Sequence, residues 1–379
     1  MCVPISRRAL LANAGARLAA GGSNESPFLV RTTQECGWNV FVRKGSSTDP
    51  KDIALNRTHL DFLREAGLNW LLVFWTNAPE FNDVWQQAVD HARSIGLKLG
   101  RSVYGFGGGG AETTMAEPNV PRHLLRPSKI GTGTAMCPHD PETREWVAKA
   151  LAVRVQPDID GILIEPAREA FRNCICERCR ALRPFEWDTF IINFMADHLL
   201  ALKPGIEIML HLNVTGNGPE ADRAMAADLA GLRKPIRHIF AWGTDDERSL
   251  VDWLDADPRF CPYIKYSRCL LFPDGAAPAA SAAERAGKVF RWARLAAERG
   301  KKAYSYDWRI FGGTEWQGHK KSGPATRLCR RMPASIALMG AAMQDPYMAA
   351  PAQRKLLERL RKSTEWDLDD PKVFYLGAG

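Results

Sequence analysis

Strand-like runs alternate with helical patterns along most of the chain, and this alternation constrains the fold more than any other feature. The strand-like runs are residues 37–43, 69–75, 97–104, 160–165, 206–213, 236–242, 262–270 and 302–307. The helical patterns cover residues 52–66, 82–95, 141–155, 187–202, 219–232, 247–254, 282–299 and 325–343. Eight strands with eight interleaved helices predict an α/β fold of the (β/α)8 class, the TIM barrel.

An open, doubly wound sheet is the alternative architecture. It would require a glycine-rich G-x-G-x-x-G turn after the first strand, and none is present there. We therefore predict a single barrel domain over residues 28–348. Residues 1–27 read as a leader or disordered tail, and residues 349–379 as a helical appendage.

Composition narrows the range of functions and partners. The chain has 379 residues, of which 45% are hydrophobic, enough for a substantial core, and its formal net charge is +8. The basic residues are scattered and no nucleic-acid-binding signature accompanies them, so we predict no nucleic-acid partner. No stretch of 18 apolar residues exists, so we predict no membrane span. The segment S-R-R-A-L-L at residues 6–11 resembles a twin-arginine export signal, which leaves an exported and a cytoplasmic location both open.

Three long insertions mark the working face of the predicted barrel. They follow strands three, four and eight and include residues 105–140, the cysteine-rich segment and residues 308–323. Barrel active sites are built from the loops at the carboxyl ends of the strands. The run G-F-G-G-G-G at residues 105–110 lacks the G-K-[ST] ending of a phosphate loop, which favours a lid or a turn.

Glu165 is the first candidate for chemistry because it ends the apolar run D-I-D-G-I-L-I-E-P of residues 158–166. Its apolar neighbours are expected to desolvate the carboxyl group and to raise its pKa. A carboxyl group that stays protonated near neutral pH is suited to general acid catalysis. The alternative is a structural carboxylate that pairs with Arg168 or another arginine.

A second carboxylate is needed if the reaction is acid–base hydrolysis. Asp307 ends the predicted eighth strand and Asp245 follows the predicted sixth, so both are candidates. Asp245 has a second interpretation, because an aspartate in this position can cap the helix that begins near residue 247.

Aromatic and amide side chains recur at the predicted strand ends. They are Trp38, Trp75, Asn77, Tyr104, His211, Asn213, Trp242, Tyr266, Tyr306 and Trp308. Aromatic rings stack on sugar faces and amides bind hydroxyl groups, so this mixture favours a carbohydrate substrate; several of the rings could instead fill the barrel. Arg101 and Arg268, on strands three and seven, would bind either an internal carboxylate or an anionic group of the substrate.

The cysteines give the most specific pattern. Cys174, Cys176 and Cys179 form a C-x-C-x-x-C segment, and Cys137 ends the preceding long insertion. Four sulfur ligands would make a closed, structural zinc site that joins two loops. Reduced thiols or a disulfide are the alternatives. For the chemistry itself we predict no cofactor.

Four features together resemble a known group of proteins. M-C-P-H-D-P-E at residues 136–142 precedes a helix, D-G-I-L-I-E at residues 160–165 is the acid-bearing strand, and C-x-C-x-x-C is followed by a helix that runs to K-P-G at residues 203–205. The combination resembles (β/α)8 glycoside hydrolases and hydrolase-like proteins of the broad α-glucuronidase and hexosaminidase-like group. The resemblance implies that Glu165 is the general acid.

The chain departs from that group at two places. The hexosaminidase-like pattern has an aspartate directly before its glutamate, where this chain has Ile164, and no glutamate ends the predicted seventh strand. Retaining, inverting and inactive versions all stay open. The leading hypothesis is a glycoside hydrolase. A non-catalytic carbohydrate-binding barrel and a metal-dependent lyase or isomerase on a sugar are the alternatives.

Overall fold

The fold is described from a computed structural model over residues 25–36, 57, 60–73, 83–104, 120–128, 131–155, 159–165, 174–212, 219–241, 247–264, 282–309 and 336–367. The strands in these ranges are β1 (Val30–Cys36), β2 (Trp70–Val73), β3 (Lys98–Tyr104), β4 (Leu125–Ser128), β5 (Gly131–Met136), β6 (Gly161–Glu165), β7 (Glu207–Leu212), β8 (Ile236–Ala241), β9 (Phe260–Cys261), β10 (Tyr263–Ile264) and β11 (Ala303–Arg309).

Helices separate most of the strands. They are α1 (Asp83–Ser94), α2 (Pro141–Arg154), α3 (Glu177–Arg180), α4 (Pro184–Leu202), α5 (Pro219–Asp228), α6 (Glu247–Ala256), α7 (Ala282–Glu298) and α8 (Ala350–Asp367), with further helical residues at 60–65 and 336–344. None of these helices is long and apolar enough to cross a membrane.

The main sheet has nine strands in the hydrogen-bonded order β10-β11-β1-β2-β3-β6-β7-β8-β9. Pro262 alone separates β9 from β10, so these two short pieces are one strand interrupted by a residue that cannot donate a ladder hydrogen bond. The sheet therefore has eight strand positions, in the order that a (β/α)8 barrel requires. The predicted fold class is confirmed.

The first and seventh strands begin earlier than the sequence predicts. β1 pairs with β11 from Val30 onward, whereas the predicted first strand, residues 37–43, lies outside the described residues. The seventh strand begins at Phe260 rather than at residue 262. A hairpin of β4 and β5 occupies the end of the long insertion after β3, and the sequence did not predict it.

By their internal contacts, the described residues fall into two compact units. One contains β1, β11, the helical residues 60–65 and 336–344, and α7 and α8. Within it, α8 packs on α7 through the buried side chains Leu356, Leu357 and Leu360. The other contains β3 to β10 with α2 to α6, and it carries Glu165 and the cysteines.

In the second unit the parallel strands are largely buried on both faces, as strands covered by helices are. All five residues of β6 are buried, and the parallel pairing of β3, β6, β7 and β8 is continuous. Ile162 and Ile164 lie on one face of β6, while Leu163 and Glu165 lie on the other, because side chains alternate along a strand.

Local signals explain where the helices of this unit begin. Pro141 starts α2, and the side chain of Asp140 accepts a hydrogen bond from the backbone N–H of Glu142 at 3.1 Å. Pro184 starts α4, and the carboxylate of Glu186 accepts from the backbone N–H of Arg183 at 2.9 Å.

Asp188 in α4 gives a first testable prediction. Burial raises the pKa of this carboxyl group well above its ordinary range. A folded-state pKa above the unfolded value means that Asp188 favours the fold most below about pH 4 and that this contribution is lost as the pH rises toward the folded-state pKa. Asp188→Asn is therefore expected to be more stable than the native protein at pH 7, with the difference shrinking toward pH 4. Urea midpoints across that range measure it; a difference that does not change with pH would contradict the assignment.

Candidate active site

Glu165 ends β6, at the carboxyl end of the parallel strands, where barrel active sites lie. The residue is only 1% exposed. It pairs in register with Tyr104, the last residue of β3. The strand thus places a carboxyl group at the carboxyl end of the sheet. The surroundings of this group exclude most water.

His211 is a titratable neighbour of Glu165. It lies on β7, the strand adjacent to β6, and its Nδ1 atom is 3.8 Å from the Oε2 atom of Glu165. His211 is fully buried, and its ring lies against that of Tyr263 in β10, with 4.6 Å between the ring centroids. Phe240 of β8 lies beyond, 6.5 Å from Tyr263.

A buried carboxyl group beside a buried imidazole can hold and move a proton. The 3.8 Å separation exceeds a direct hydrogen bond, which ends near 3.2 Å, so a short movement or one water molecule would join the two groups. Histidine and glutamate are the side chains that most often act as general acids and bases. The pair therefore has the composition of an acid–base site.

The strand register places Arg101, a predicted site residue, away from Glu165 and His211. Arg101 pairs with Ile162, whereas Tyr104 pairs with Glu165, three positions further along the same strand. Because side chains alternate, Arg101 lies on the opposite face of the sheet from Glu165. It is 1% exposed there, which is consistent with an internal partner rather than with contact to a ligand beside Glu165.

Three predicted site residues lie on β11, in the other unit. Asp307 pairs with Gln34 and Trp308 with Glu35, and Tyr306 is buried. Eight more lie outside the described residues: Trp38, Trp75, Asn77, Asn213, Trp242, Asp245, Tyr266 and Arg268. Their placement stays a prediction.

Sequence reasoning missed two polar features. The Nε2 atom of Gln34 on β1 donates a hydrogen bond to the Oγ atom of Ser305 on β11 at 3.0 Å, and both residues are fully buried. The sequence carries no local signal for this pair, because polar residues in a strand are buried only where a neighbouring strand supplies partners. Tyr263 was also missed: it lies near the start of the predicted seventh strand, residues 262–270, and candidates were sought at the carboxyl end of that strand.

The four cysteines singled out in the sequence come together in space. The Sγ atoms of Cys137, Cys174, Cys176 and Cys179 all lie within 4.8 Å of one another, and those of Cys137 and Cys176 are 3.7 Å apart. None of the four forms a disulfide, and all but Cys176 are buried. This group of four convergent thiols can hold a metal ion.

Among the four thiols, the thiolate form is favoured at Cys137. Hydrogen bonds from the Cys174 and Cys179 side chains hold the pKa of Cys137 well below its ordinary range, and the same hydrogen bonds to Cys137 raise the pKa of Cys174 and of Cys179. A backbone hydrogen bond from His139 also stabilises the Cys137 thiolate. The ring of His139 stacks on Phe190 at 4.9 Å, outside the cluster.

Comparison with known proteins identifies relatives by fold alone. No family model matches the sequence, and no curated protein matches it. Similar solved structures include the pneumococcal virulence factor StrH, studied for N-glycan recognition and hydrolysis, at 10% identity and a TM-score of 0.49 over 87% of each chain.

Two further solved structures are similar at comparably low identity. Amy13B of Eubacterium rectale has 8% identity and a TM-score of 0.47 over 84% of this chain and 80% of its own. A sugar phosphate isomerase/epimerase from Parabacteroides distasonis has 13% identity and a TM-score of 0.42 over 77% and 99%. At these identities and TM-scores, the similarities assign neither a family nor a function to this chain.

Proposed function

We propose that the chain is a glycoside hydrolase in which Glu165 is the general acid. The observation that supports this most is the burial of a carboxyl group at the carboxyl end of β6, next to a buried imidazole. A general acid must carry its proton when the substrate binds, and burial disfavours the charged form of a carboxyl group.

Glycoside hydrolysis needs a second carboxylate. Asp307, on β11, is the first candidate and Asp245 the second. The distance between the two carboxyl groups would decide the stereochemistry. A separation of about 5–5.5 Å corresponds to retention with a covalent intermediate, and about 6.5–9.5 Å corresponds to inversion by an activated water molecule.

A carbohydrate substrate suits the other side chains predicted at the strand ends. Tyr104 is in register with Glu165, and the tryptophans and asparagines at the predicted loops would offer rings for sugar faces and amides for hydroxyl groups. His211 is suited to position the proton of Glu165, because its ring lies beside that carboxyl group.

The proposed reaction requires no cofactor, since side chains make both proton transfers. A zinc ion at the four cysteines would be structural, because four protein ligands leave no open position for a substrate.

A panel of aryl glycosides and polysaccharides, assayed by the release of reducing ends, tests the proposal. We expect hydrolysis of at least one member and its loss in Glu165→Gln. Sugar binding without cleavage across the panel would favour a carbohydrate-binding barrel instead. Cleavage abolished by chelation with the fold intact would support a catalytic metal, as in a metal-dependent lyase.

A further inference from the structure

The cysteine cluster joins two insertions that are far apart in the chain. Cys137 directly follows β5, and Cys174 begins the segment that returns from β6. Cys174 forms an antiparallel bridge with Ser128 of β4, and the backbone N–H of Ile175 donates to the carbonyl oxygen of Pro127 at 3.2 Å. A single backbone bridge thus docks the segment beside the β4–β5 hairpin.

The local backbone explains why the sulfur atoms converge. Cys174 and Cys176 are two residues apart in extended chain, so their side chains lie on one face. Cys176 is the N-cap residue of α3, with extended backbone angles, and Cys179 follows within the first turn of that helix. The helix turns Cys179 back toward the two sulfurs that precede it.

The sulfur spacing fits a tetrahedral metal site. Zinc–sulfur bonds of about 2.3 Å in a tetrahedron place the sulfurs about 3.8 Å apart. The Cys137 and Cys176 sulfurs are 3.7 Å apart, and all four lie within 4.8 Å. A disulfide would require about 2.05 Å. Cys176 is an exposed residue, yet its sulfur points at the cluster, which simple apolar packing would not require.

We propose that Cys137, Cys174, Cys176 and Cys179 bind one zinc ion, which clips the β4–β5 hairpin to the segment that follows β6. Four thiolates in a tetrahedron select zinc or iron and disfavour magnesium and calcium, which require oxygen ligands. Zinc is the better match because four cysteines in a closed tetrahedron are a usual ligand set of structural zinc sites. The backbone hydrogen bond from His139 to the Cys137 sulfur is the outer-shell contact that such ligands use.

The clip has a consequence for Glu165, and this step rests on the proposed function. Only residues 166–173 separate Glu165 from Cys174. Fixing Cys174 to the hairpin therefore fixes the chain nine residues beyond Glu165. Zinc would take no part in the reaction.

The metal content of the purified full-length protein is the primary test. We expect one zinc per chain by elemental analysis, and a content at least about tenfold lower in Cys179→Ser, which removes a ligand. Cys261→Ser is the matched control, since Cys261 is a buried free cysteine of the same unit outside the cluster, and it should keep its zinc. Iron in place of zinc, or a folded native protein with neither, would overturn the proposal.

A second variant covers the case in which Cys179→Ser fails to fold. Cys176→Ser changes the exposed member of the cluster and should retain the barrel while its zinc content falls. Cobalt(II) added to metal-free native protein should produce the near-ultraviolet absorption of sulfur-to-cobalt charge transfer, and Cys176→Ser should weaken it. Equal cobalt absorption in both proteins would show that these sulfurs are not the ligands.

Local hydrogen exchange separates this proposal from the enzymatic one. Removal of zinc should speed amide exchange in residues 120–140 and 174–183 and leave β7 and β8 protected, whether or not a substrate is known. If zinc binds and exchange changes without any effect on turnover, the clip stands and its link to Glu165 fails. Unchanged exchange in both segments would refute the clip.

Discussion

Glu165→Gln is expected to lower the rate of glycoside hydrolysis by about 10²–10⁴-fold, the usual contribution of a general acid. Glutamine has nearly the shape of a protonated glutamate, so it fits a site in which the side chain is 1% exposed. It cannot give a proton to the leaving oxygen. The measurement is kcat/KM on the substrate found in the panel, with circular dichroism to confirm the fold.

The leaving group provides an internal check on this prediction. A substrate whose leaving group is already a stable anion needs little proton donation, so the variant should lose far less rate on an activated aryl glycoside than on an alkyl glycoside. Equal losses on both would indicate that Glu165 has another role, and unchanged turnover would remove it from the mechanism.

Glu207→Gln is the matched control for Glu165→Gln. Glu207 begins β7, the neighbouring strand, at the end opposite to Glu165, and its side chain is 28% exposed. The substitution makes the same chemical change within the same unit and should leave kcat/KM near the native value. A similar loss in both variants would point to damage of the sheet rather than to acid catalysis.

The sequence predicted the elements whose hydrophobic pattern is decided locally. The apolar run of β6 is recognisable because burial on both faces leaves a pattern within a few residues. β1 leaves no such pattern. Its Thr32, Thr33 and Gln34 are buried only because neighbouring strands supply partners and cover.

The site shows the same division between local and non-local information. The four cysteines could be grouped from their spacing because three lie within six residues and sulfur has few other roles in such a cluster. The pairing of Glu165 with His211 depends on the register of β6 and β7, and the separation of Arg101 from Glu165 depends on the register of β3. Register cannot be obtained from one strand alone.

Gly340→Ala is expected to destabilise the protein strongly, because two backbones meet where the glycine stands. Gly340 lies in the helical residues 336–344, and a Cβ atom there would overlap the carbonyl oxygen of Ala66 and lie 2.8 Å from its carbonyl carbon. Gly67 is part of the same backbone contact, since a Cβ atom added there would lie 3.1 Å from the carbonyl oxygen of Gly340. A rigid backbone cannot yield as a flexible side chain can, so we expect a loss of about 3 kcal/mol, at the upper end of overpacking effects.

Gly287→Ala is the control that isolates the steric cause of this loss. Gly287 lies within α7, in the same unit, and nothing lies within 4 Å of the position that its Cβ would occupy. Alanine there should raise the free energy of unfolding by roughly 0.5–1 kcal/mol, because it restricts the unfolded chain and favours the helix. Urea unfolding of both variants measures the two effects. Opposite signs would show that helix propensity and backbone contact act independently in this unit, whereas a Gly340→Ala variant as stable as the native protein would mean that residues 60–67 and 336–344 do not pack as closely as described.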